Sequence, residues 1–280
     1  IDADEELIVI DDHFKKSLQA PSYTIVREFG ATEYRLPFLI DVRYGNQFNW
    51  KWNAPVHNYL TCNKNLQQLP FEKFNLFIKS YPHQGAKSHN VSTEEKYLKD
   101  AKLLEEELIK NPKDTRTMFY LAQSYKDAKN YDLSYKYYKM VTVNNGWSEE
   151  KFCAHQQLML HYIIHNHIDK AIHHAFKAIN ININRAPEIT YYLMKYYKTF
   201  KNYPMSLLWG KIGLDHLNTK DFKNYLFINK PIYSWIYYDE LSLIHYALGN
   251  MNEFLNCINN IYDIVPEEQK ARLDKNKTYA

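Results

Sequence analysis

Glycine and cysteine are scarce in this 280-residue chain, which contains 7 and 3 of them. With so few glycines, a glycine-rich loop that binds phosphates is not expected. Cys62, Cys153 and Cys257 are far apart and form no C-x-x-C motif. The sequence therefore predicts neither a zinc site nor a disulfide framework, and a reducing, cytoplasmic location is expected.

Charge of one sign and long apolar runs are lacking as well. The formal net charge is +3, which is too small to predict nucleic-acid binding. No run of about 18 apolar residues is present, so no transmembrane segment is predicted. Hydrophobic residues make up 45% and charged residues 24%, as in globular proteins. The chain does not begin with Met and starts at what looks like a strand end, so we expect a fragment.

Two aspartates separated by one small residue stand at the start of the chain. Side chains at i and i+2 of a strand point the same way, so Asp2 and Asp4 are able to converge on one hard cation. Paired carboxylates suit Mn²⁺ or Mg²⁺ held together with substrate phosphates. The alternative for so common a pattern is a solvated turn or a helix cap.

Residues 1–92 show a mixed α/β pattern. Residues 23–27 are β-branched in character and predict a strand. Residues 34–42 predict another strand, and Pro37 within it favours an edge position. The apolar run 7–10 is compatible with either strand or helix.

His57 is the second candidate for chemistry in this region. It follows Pro55 in a stiff loop, and a neutral imidazole is a good third ligand for Mn²⁺ beside two carboxylates. Trp50 and Trp52 precede it and offer a stacking surface for a sugar ring or a base. The alternatives are a structural histidine and core packing of at least one tryptophan.

From Thr93 onward the apolar period is helical and repeats. Met118, Leu121, Ala122 and Tyr125 match the tetratricopeptide pattern for the first helix of a repeat. The same pattern returns around Leu158, Leu193 and, more loosely, Leu243, where an insertion at residues 219–231 lengthens the interval. Helical repeats over residues 93–265 and a charged, frayed tail over residues 266–280 are therefore predicted.

Histidines cluster on the second predicted repeat. His161 and His165 are at i and i+4, the spacing of some zinc ligands, but no acidic residue completes an H-E-x-x-H motif. Filling or solvating the grooves between helices is the favoured interpretation, and a histidine-based metal protein is the less favoured one.

Several stretches, in order, resemble family-2 glycosyltransferases of the GT-A fold that carry a C-terminal tetratricopeptide array. The first five residues are similar to the family's LDADE motif, and residues 50–60 to its WRWxGPVHEYL stretch. Residues 85–88 resemble a dGaRS loop, residues 96–105 a KYxRDAxLLE helix, residues 119–127 FYLAQSYRD, and residues 146–150 GGWxEE.

The resemblance implies an inverting, metal-dependent transfer of a sugar from a nucleotide-sugar donor to a protein or glycan acceptor. Asp2, Asp4 and His57 are its implied ligands for Mn²⁺ or Mg²⁺, and Lys87 is an implied phosphate contact. Asp41 and Glu33 are candidates for the base that deprotonates the acceptor. The family's Glu after the histidine is Asn58 here, and the strands that precede Asp-x-Asp in the family are absent.

The expected architecture is an α/β partial GT-A domain over residues 1–92, followed by an all-α tetratricopeptide-like superhelix. Two functions from different classes remain open. One is the metal-dependent glycosyltransferase. The other is a non-catalytic tetratricopeptide scaffold that carries a degenerate transferase remnant.

Overall fold

The computed structural model of the chain describes residues 5–29, 32–41, 43, 45–63, 69–70, 76–81, 91–219, 222 and 225–279. Asp2, Asp4 and Lys87 lie outside these residues, and Glu33 is described only in its backbone. The chain divides into two compact units. Unit 1 comprises residues 1–150 and 223–228, and unit 2 comprises residues 151–222 and 229–280.

The first part of unit 1 contains two small sheets. Their strands are β1 (Glu5–Val9), β2 (Ser22–Phe29), β3 (Thr32–Ile40), β4 (Lys51–Asn53), β5 (Tyr59–Thr61), β6 (Leu69–Pro70) and β7 (Leu76–Ser80). The larger sheet has the order β1-β7-β2-β3, with β6 also paired to β2, and β4 pairs with β5. β2 runs antiparallel to β3 and parallel to β7, while β1 runs antiparallel to β7.

Alternating side chains of this sheet form its core. Tyr23 and Ile25 of β2 and Leu76 and Ile78 of β7 are buried together with Phe14. This is the period-2 burial that strands require. The two predicted strands, residues 23–27 and 34–42, correspond to β2 and to most of β3. The proline of β3 lies on the strand that ends the described sheet, as expected for a residue that lacks an N–H donor.

Charge is neutralised inside the sheet by a triad of side chains. Arg27 forms an ion pair with Glu5, whose side chain is fully buried. Ser80 lies between them: its Oγ accepts from Arg27 Nε at 2.7 Å and donates to Glu5 Oε1 at 3.2 Å. A buried carboxylate is costly unless it is paired and hydrogen-bonded, so the triad ties β1, β2 and β7 together.

A short helix, α1 (Gly45–Phe48), lies between β3 and β4. Three longer helices follow the sheets in unit 1: α2 (Thr93–Lys110), α3 (Thr115–Asp127) and α4 (Tyr131–Val143). α2 begins where the apolar period becomes helical, at a capping box made by Ser92 and Glu95. α2 packs on α3 and α3 on α4. The buried residues of α3 include the predicted Leu121 and Ala122, and those of α4 include Tyr138, so the predicted helices are confirmed.

Unit 2 continues the helical array. Its helices are α5 (Ser148–Ile164), which begins in unit 1, α6 (Ile168–Ile181), α7 (Ala186–Thr199), α8 (Tyr203–Leu214), α9 (Tyr237–Ala247), α10 (Met251–Ile261) and α11 (Glu267–Lys277). Consecutive helices from α6 to α10 pack on one another. In the described part of the chain, no helix is both long and apolar enough to cross a membrane.

The turns between paired helices show the repeat most clearly. Lys129, Asn166, Lys201 and Gly249 occupy the left-handed region, with φ of 59°, 61°, 55° and 74°. Each lies in the turn between two helices, where a left-handed residue ends the first helix. Their spacings are 37, 35 and 48 residues. The chain therefore contains four helix pairs of tetratricopeptide-like character among its described residues.

The last repeat has a different register from the predicted one. Leu241 is 2% exposed, whereas the predicted Leu243 is only partly buried and Tyr246 is exposed. The interval from Leu193 to Leu241 is 48 residues, which equals the spacing of the last two turn residues. The observed register of α9 is therefore two residues earlier than the predicted one, and a π-helical turn at Ile232–Ile236 interrupts the 3.6-residue period just before α9.

Small residues let the helices of unit 2 approach closely. A Cβ added at Gly213 would collide with the hydroxyls of Thr190 and Tyr237, and one at Gly210 would lie 2.5 Å from Leu241 Cδ2. Tyr237 is fully buried, and its hydroxyl bonds to Thr190 Oγ1 at 2.7 Å. The two glycines therefore let α8 pack closely against α7 and α9.

A buried ion pair organises the centre of unit 2. Arg185 and Glu188 are 0% and 1% exposed, and Arg185 Nε donates to Glu188 Oε1 at 2.8 Å. The guanidinium also lies 4.0 Å from the Phe152 ring centroid. Tyr233 donates its hydroxyl to Glu188 at 3.1 Å, so the carboxylate holds the chain after the insertion. Both charges are thus paired and hydrogen-bonded, as burial demands.

The charged segment after Pro266 forms α11 and does not fray. Leu273 is fully buried in a cluster with Phe254, Ile258 and Ile261 of α10. One apolar anchor on an otherwise polar helix supplies the packing that most short helices need.

Candidate functional site

A cleft of about 480 Å³ opens at the start of α3 in unit 1. Its lining residues are Lys113, Asp114, Thr115, Arg116, Asn145, Gly146, Trp147 and Glu150. They come from the α2–α3 connection, the first turn of α3, the α4–α5 connection and the first turn of α5. Side chains of both charges and an indole that is 47% exposed therefore share one concave surface.

Local contacts fix the walls of the cleft. Asp114 caps α3: its carboxylate accepts from the backbone N–H groups of Arg116 at 3.0 Å and Thr117 at 3.3 Å. Thr115 donates its hydroxyl to the carbonyl of Asn145 at 2.9 Å. A Cβ on Gly146 would lie 2.5 Å from Thr115 Cγ2, so only glycine fits this approach. The connection that carries Trp147 is thereby held against α3.

Arg116 is positioned by two aromatic rings. Its guanidinium carbon lies 4.5 Å from the Tyr59 centroid and 4.7 Å from the Tyr120 centroid. Cation–π contacts with two tyrosines restrict the guanidinium to one orientation. Nη1 is 3.4 Å from Glu150 Oε1, and among the described residues the buried Nε has no hydrogen-bond partner. One donor of the guanidinium is therefore unsatisfied inside the protein.

Glu150 supplies the carboxylate of the cleft. Its side chain is 3% exposed. Burial raises the pKa of Glu150 to about 7, and the charge of Asp114 adds to the rise, while Arg116 opposes it. At 3.4 Å the arginine does not fully offset the loss of hydration. Near neutral pH the carboxyl group is thus able to donate or to accept a hydrogen bond.

His57 lies beside this group on the face of α3. Its ring stacks on Tyr120 with the centroids 4.2 Å apart and an interplanar angle of 19°. Ala54 and His57 have φ of 68° and 52°, so two non-glycine residues of this loop occupy the left-handed region. The loop is strained and is held in place by stacking on the helix.

The other predicted site residues each have their own surroundings. The carboxylate of Asp41 accepts from Arg43 Nε at 2.9 Å, and this hydrogen bond lowers the pKa of Asp41. Trp50 packs on Phe48 with the centroids 6.0 Å apart. Trp52 is 55% exposed on β4. Trp50 thus packs against a neighbouring aromatic ring, which agrees with the alternative that at least one tryptophan has a packing role.

The metal prediction is not tested by the described part of the chain. Asp2, Asp4 and Lys87 lie outside it, and Glu33 is placed on β3 without a described side chain. Among the residues that are described, no three His, Cys, Asp or Glu side chains are arranged to hold a metal ion. Coordination of Mn²⁺ or Mg²⁺ by Asp2, Asp4 and His57, and an enzymatic activity, stay predictions.

The histidine cluster is arranged differently from the predicted i, i+4 pair. His161 and His165 stack at 4.2 Å, and His165 Nδ1 contacts the backbone oxygen of His161 at 2.9 Å. The side-chain pair is instead His155 with His174, whose Nδ1 atoms are 2.9 Å apart. Burial and the nearby positive charges lower the pKa of His155 to about 4.

No family model and no curated protein matches the chain. Solved structures do match it. MamA is 14% identical, with a TM-score of 0.47, over 70% of this chain and 99% of that one. BtubC (BKLC) from P. vanneervenii is 13% identical, with a TM-score of 0.49, over 66% and 75% of the two chains. Yeast Tom70 is 14% identical over 66% and 59%, with a TM-score of 0.17. At these values no function is carried over from them.

The expected membership in family-2 glycosyltransferases is wrong. No family model supports it, and the solved structures named above are not glycosyltransferases. The described strands form small sheets, and no GT-A domain is shown. Two of the matched stretches, residues 96–105 and 119–127, fall on α2 and α3, where Ala101, Leu104, Leu121 and Ala122 are core residues. Helix packing explains these residues without a shared family. The nucleotide-sugar donor was expected only from the resemblance, so it is no longer supported.

Three residues of the cleft, Arg116, Trp147 and Glu150, are not predicted as site residues from the sequence. Arg116 and Glu150 are 34 residues apart and meet only through helix packing. Trp147 follows Gly146, and this pair was the one available signal, because a glycine before an exposed aromatic residue indicates close backbone approach.

Proposed function

We propose that this protein is a non-catalytic, tetratricopeptide-like scaffold that binds a protein partner through the cleft of unit 1. The observation that carries the proposal is the half-exposed Trp147 beside the prearranged Arg116 and Glu150. Tryptophan and arginine are the residues most enriched among energetically dominant contacts of protein interfaces.

The chemistry of the cleft favours a polypeptide ligand. The positively charged Arg116 side chain is 25% exposed, and Trp147, which lines the same cleft, is 47% exposed. A peptide segment offers carbonyl oxygens to the guanidinium and apolar side chains to the indole. With Glu150 ionised, the four ionisable side chains Lys113, Asp114, Arg116 and Glu150 have a formal charge of zero, and with Glu150 protonated they have a charge of +1, so the cleft carries no strong charge of either sign.

The helices around the cleft suit recognition because they are rigid. α3 is capped by Asp114, contacts α2 and α4, and carries Arg116 between two rings. A preorganised side chain loses little conformational entropy when a partner binds. Stacked helix pairs present such fixed side chains over an extended surface.

Site-specific photo-crosslinking in the full chain tests the proposal. A photoreactive phenylalanine analogue replaces Trp147 in one variant and Ile109 in the control. Ile109 is 78% exposed on α2 and does not line the cleft, so it reports non-specific encounters. We expect one polypeptide to be crosslinked from position 147 and not from position 109, and to bind the purified wild-type chain. Equal crosslinking from both positions, or none, would refute the proposal.

A further inference from the structure

A pair of histidines in unit 2 brings two ring nitrogens into hydrogen-bonding contact. His155 lies on α5 and His174 on α6, and their Nδ1 atoms are 2.9 Å apart. His155 is 8% exposed, while His174 is partly exposed and stacks on Tyr162 with the centroids 5.5 Å apart. The two nitrogen atoms are therefore held by separate helices, and His174 is the more exposed residue of the two.

The distance between the nitrogens selects the coordination geometry. With metal–nitrogen bonds of about 2.0 Å, two ligands at 90° are about 2.8 Å apart and two at the tetrahedral angle about 3.3 Å. The observed 2.9 Å matches the right angle of a tetragonal site. Copper(II) is the metal that combines this geometry with the highest affinity for imidazole among the divalent ions of its row.

We propose that His155 and His174 form a two-histidine site for copper(II), with water completing the coordination. Without metal, one ring donates Nδ1–H to Nδ1 of the other. When both Nδ1 atoms bind the metal, that proton moves to Nε2 of its own ring, and no proton is released overall. The site needs no third protein ligand.

Positively charged groups near the histidine pair weaken its attraction for a cation, and this predicts how salt changes copper binding. Lys151, His173 and Lys177 face His155 closely enough to act on it electrostatically. Their positive charge repels Cu²⁺, and salt screens repulsion between partly exposed charges. Copper binding at this pair therefore strengthens as salt is added, whereas binding at a carboxylate-rich site weakens.

Titration of the full chain with Cu²⁺ alone, followed by electron paramagnetic resonance, tests the site. We expect superhyperfine structure from two nitrogens and an affinity that His174→Gln lowers about tenfold or more. The control is His165→Gln, because His165 is an exposed histidine of the same cluster outside the pair; it should change the affinity by less than about twofold.

Several results would overturn the copper site. Unchanged affinity in His174→Gln, a spectrum with one nitrogen ligand, or binding that weakens when about tenfold more salt is added would each do so. Circular dichroism establishes that His174→Gln is folded. If it is not, His155→Gln replaces it, with the same expected loss.

Discussion

Replacing Glu150 by glutamine tests the physical description of the cleft. The carboxyl group is 3% exposed, and its pKa is raised from 4.5 to about 7. A group whose pKa is raised by folding stabilises the protein fully below pH 4.5, and this contribution is lost as the pH rises through about 7. At about 1.4 kcal/mol for each pH unit between the two pKa values, the loss amounts to about 3 kcal/mol.

Glutamine resembles the protonated carboxyl group and does not titrate. Below pH 4.5 the variant and the wild type should therefore have similar free energies of unfolding. Above pH 8 the variant should be more stable by about 3 kcal/mol. The other titrating groups are common to both proteins, so their effects cancel in the difference.

Urea unfolding of both proteins at the two pH values, followed by circular dichroism, measures this difference. Glu106→Gln on α2 is the matched control, because Glu106 is exposed and its replacement removes no buried charge. A difference between wild type and Glu150→Gln that is the same at both pH values would refute the reasoning, since it would mean that Glu150 keeps its hydration.

Three further substitutions test the fold. Glu188→Gln should lower the free energy of unfolding by about 3 kcal/mol, because Arg185 is left as a buried, uncompensated charge; a loss below about 1 kcal/mol in chemical denaturation would contradict this. Gly213→Ala should cost about 1–3 kcal/mol through collision with Tyr237, and an unchanged melting temperature would contradict the close packing. Ala54→Gly should stabilise unit 1 by about 1 kcal/mol, because glycine relieves the left-handed strain at φ 68°; a destabilisation would show that this conformation is not strained.

Helices were predictable from the sequence because their signals are local. Apolar and small residues three and four apart define one face, and the buried residues of α4 and α6 follow this spacing. α3 is buried nearly all round, and its buried residues include the predicted Met118, Leu121, Ala122 and Tyr125. The register of α9 was not predictable in the same way. A π-helical turn at Ile232–Ile236 precedes α9 and contains about one residue more than an α-helical turn, and no periodic pattern in the sequence indicates it.

The site was less predictable because it depends on contacts between distant residues. Arg116 and Glu150 become partners only when α3 and α5 are in place. His57 was identified as a ligand from its residue type, yet its described ring contact is with Tyr120, 63 positions later in the chain. Similar short sequence stretches also misled the family assignment, since residues that serve helix packing recur in many helical repeats.

The affinity of the crosslinked partner for two variants tests the proposed scaffold function most directly. The partner recovered from position 147 is titrated against the wild type, Trp147→Ala and Ile109→Ala. Loss of a central interface tryptophan should weaken binding about tenfold or more, while Ile109→Ala should change it by less than about twofold. Equal affinities of the two variants would contradict the account, because the partner would then be held elsewhere than at the cleft.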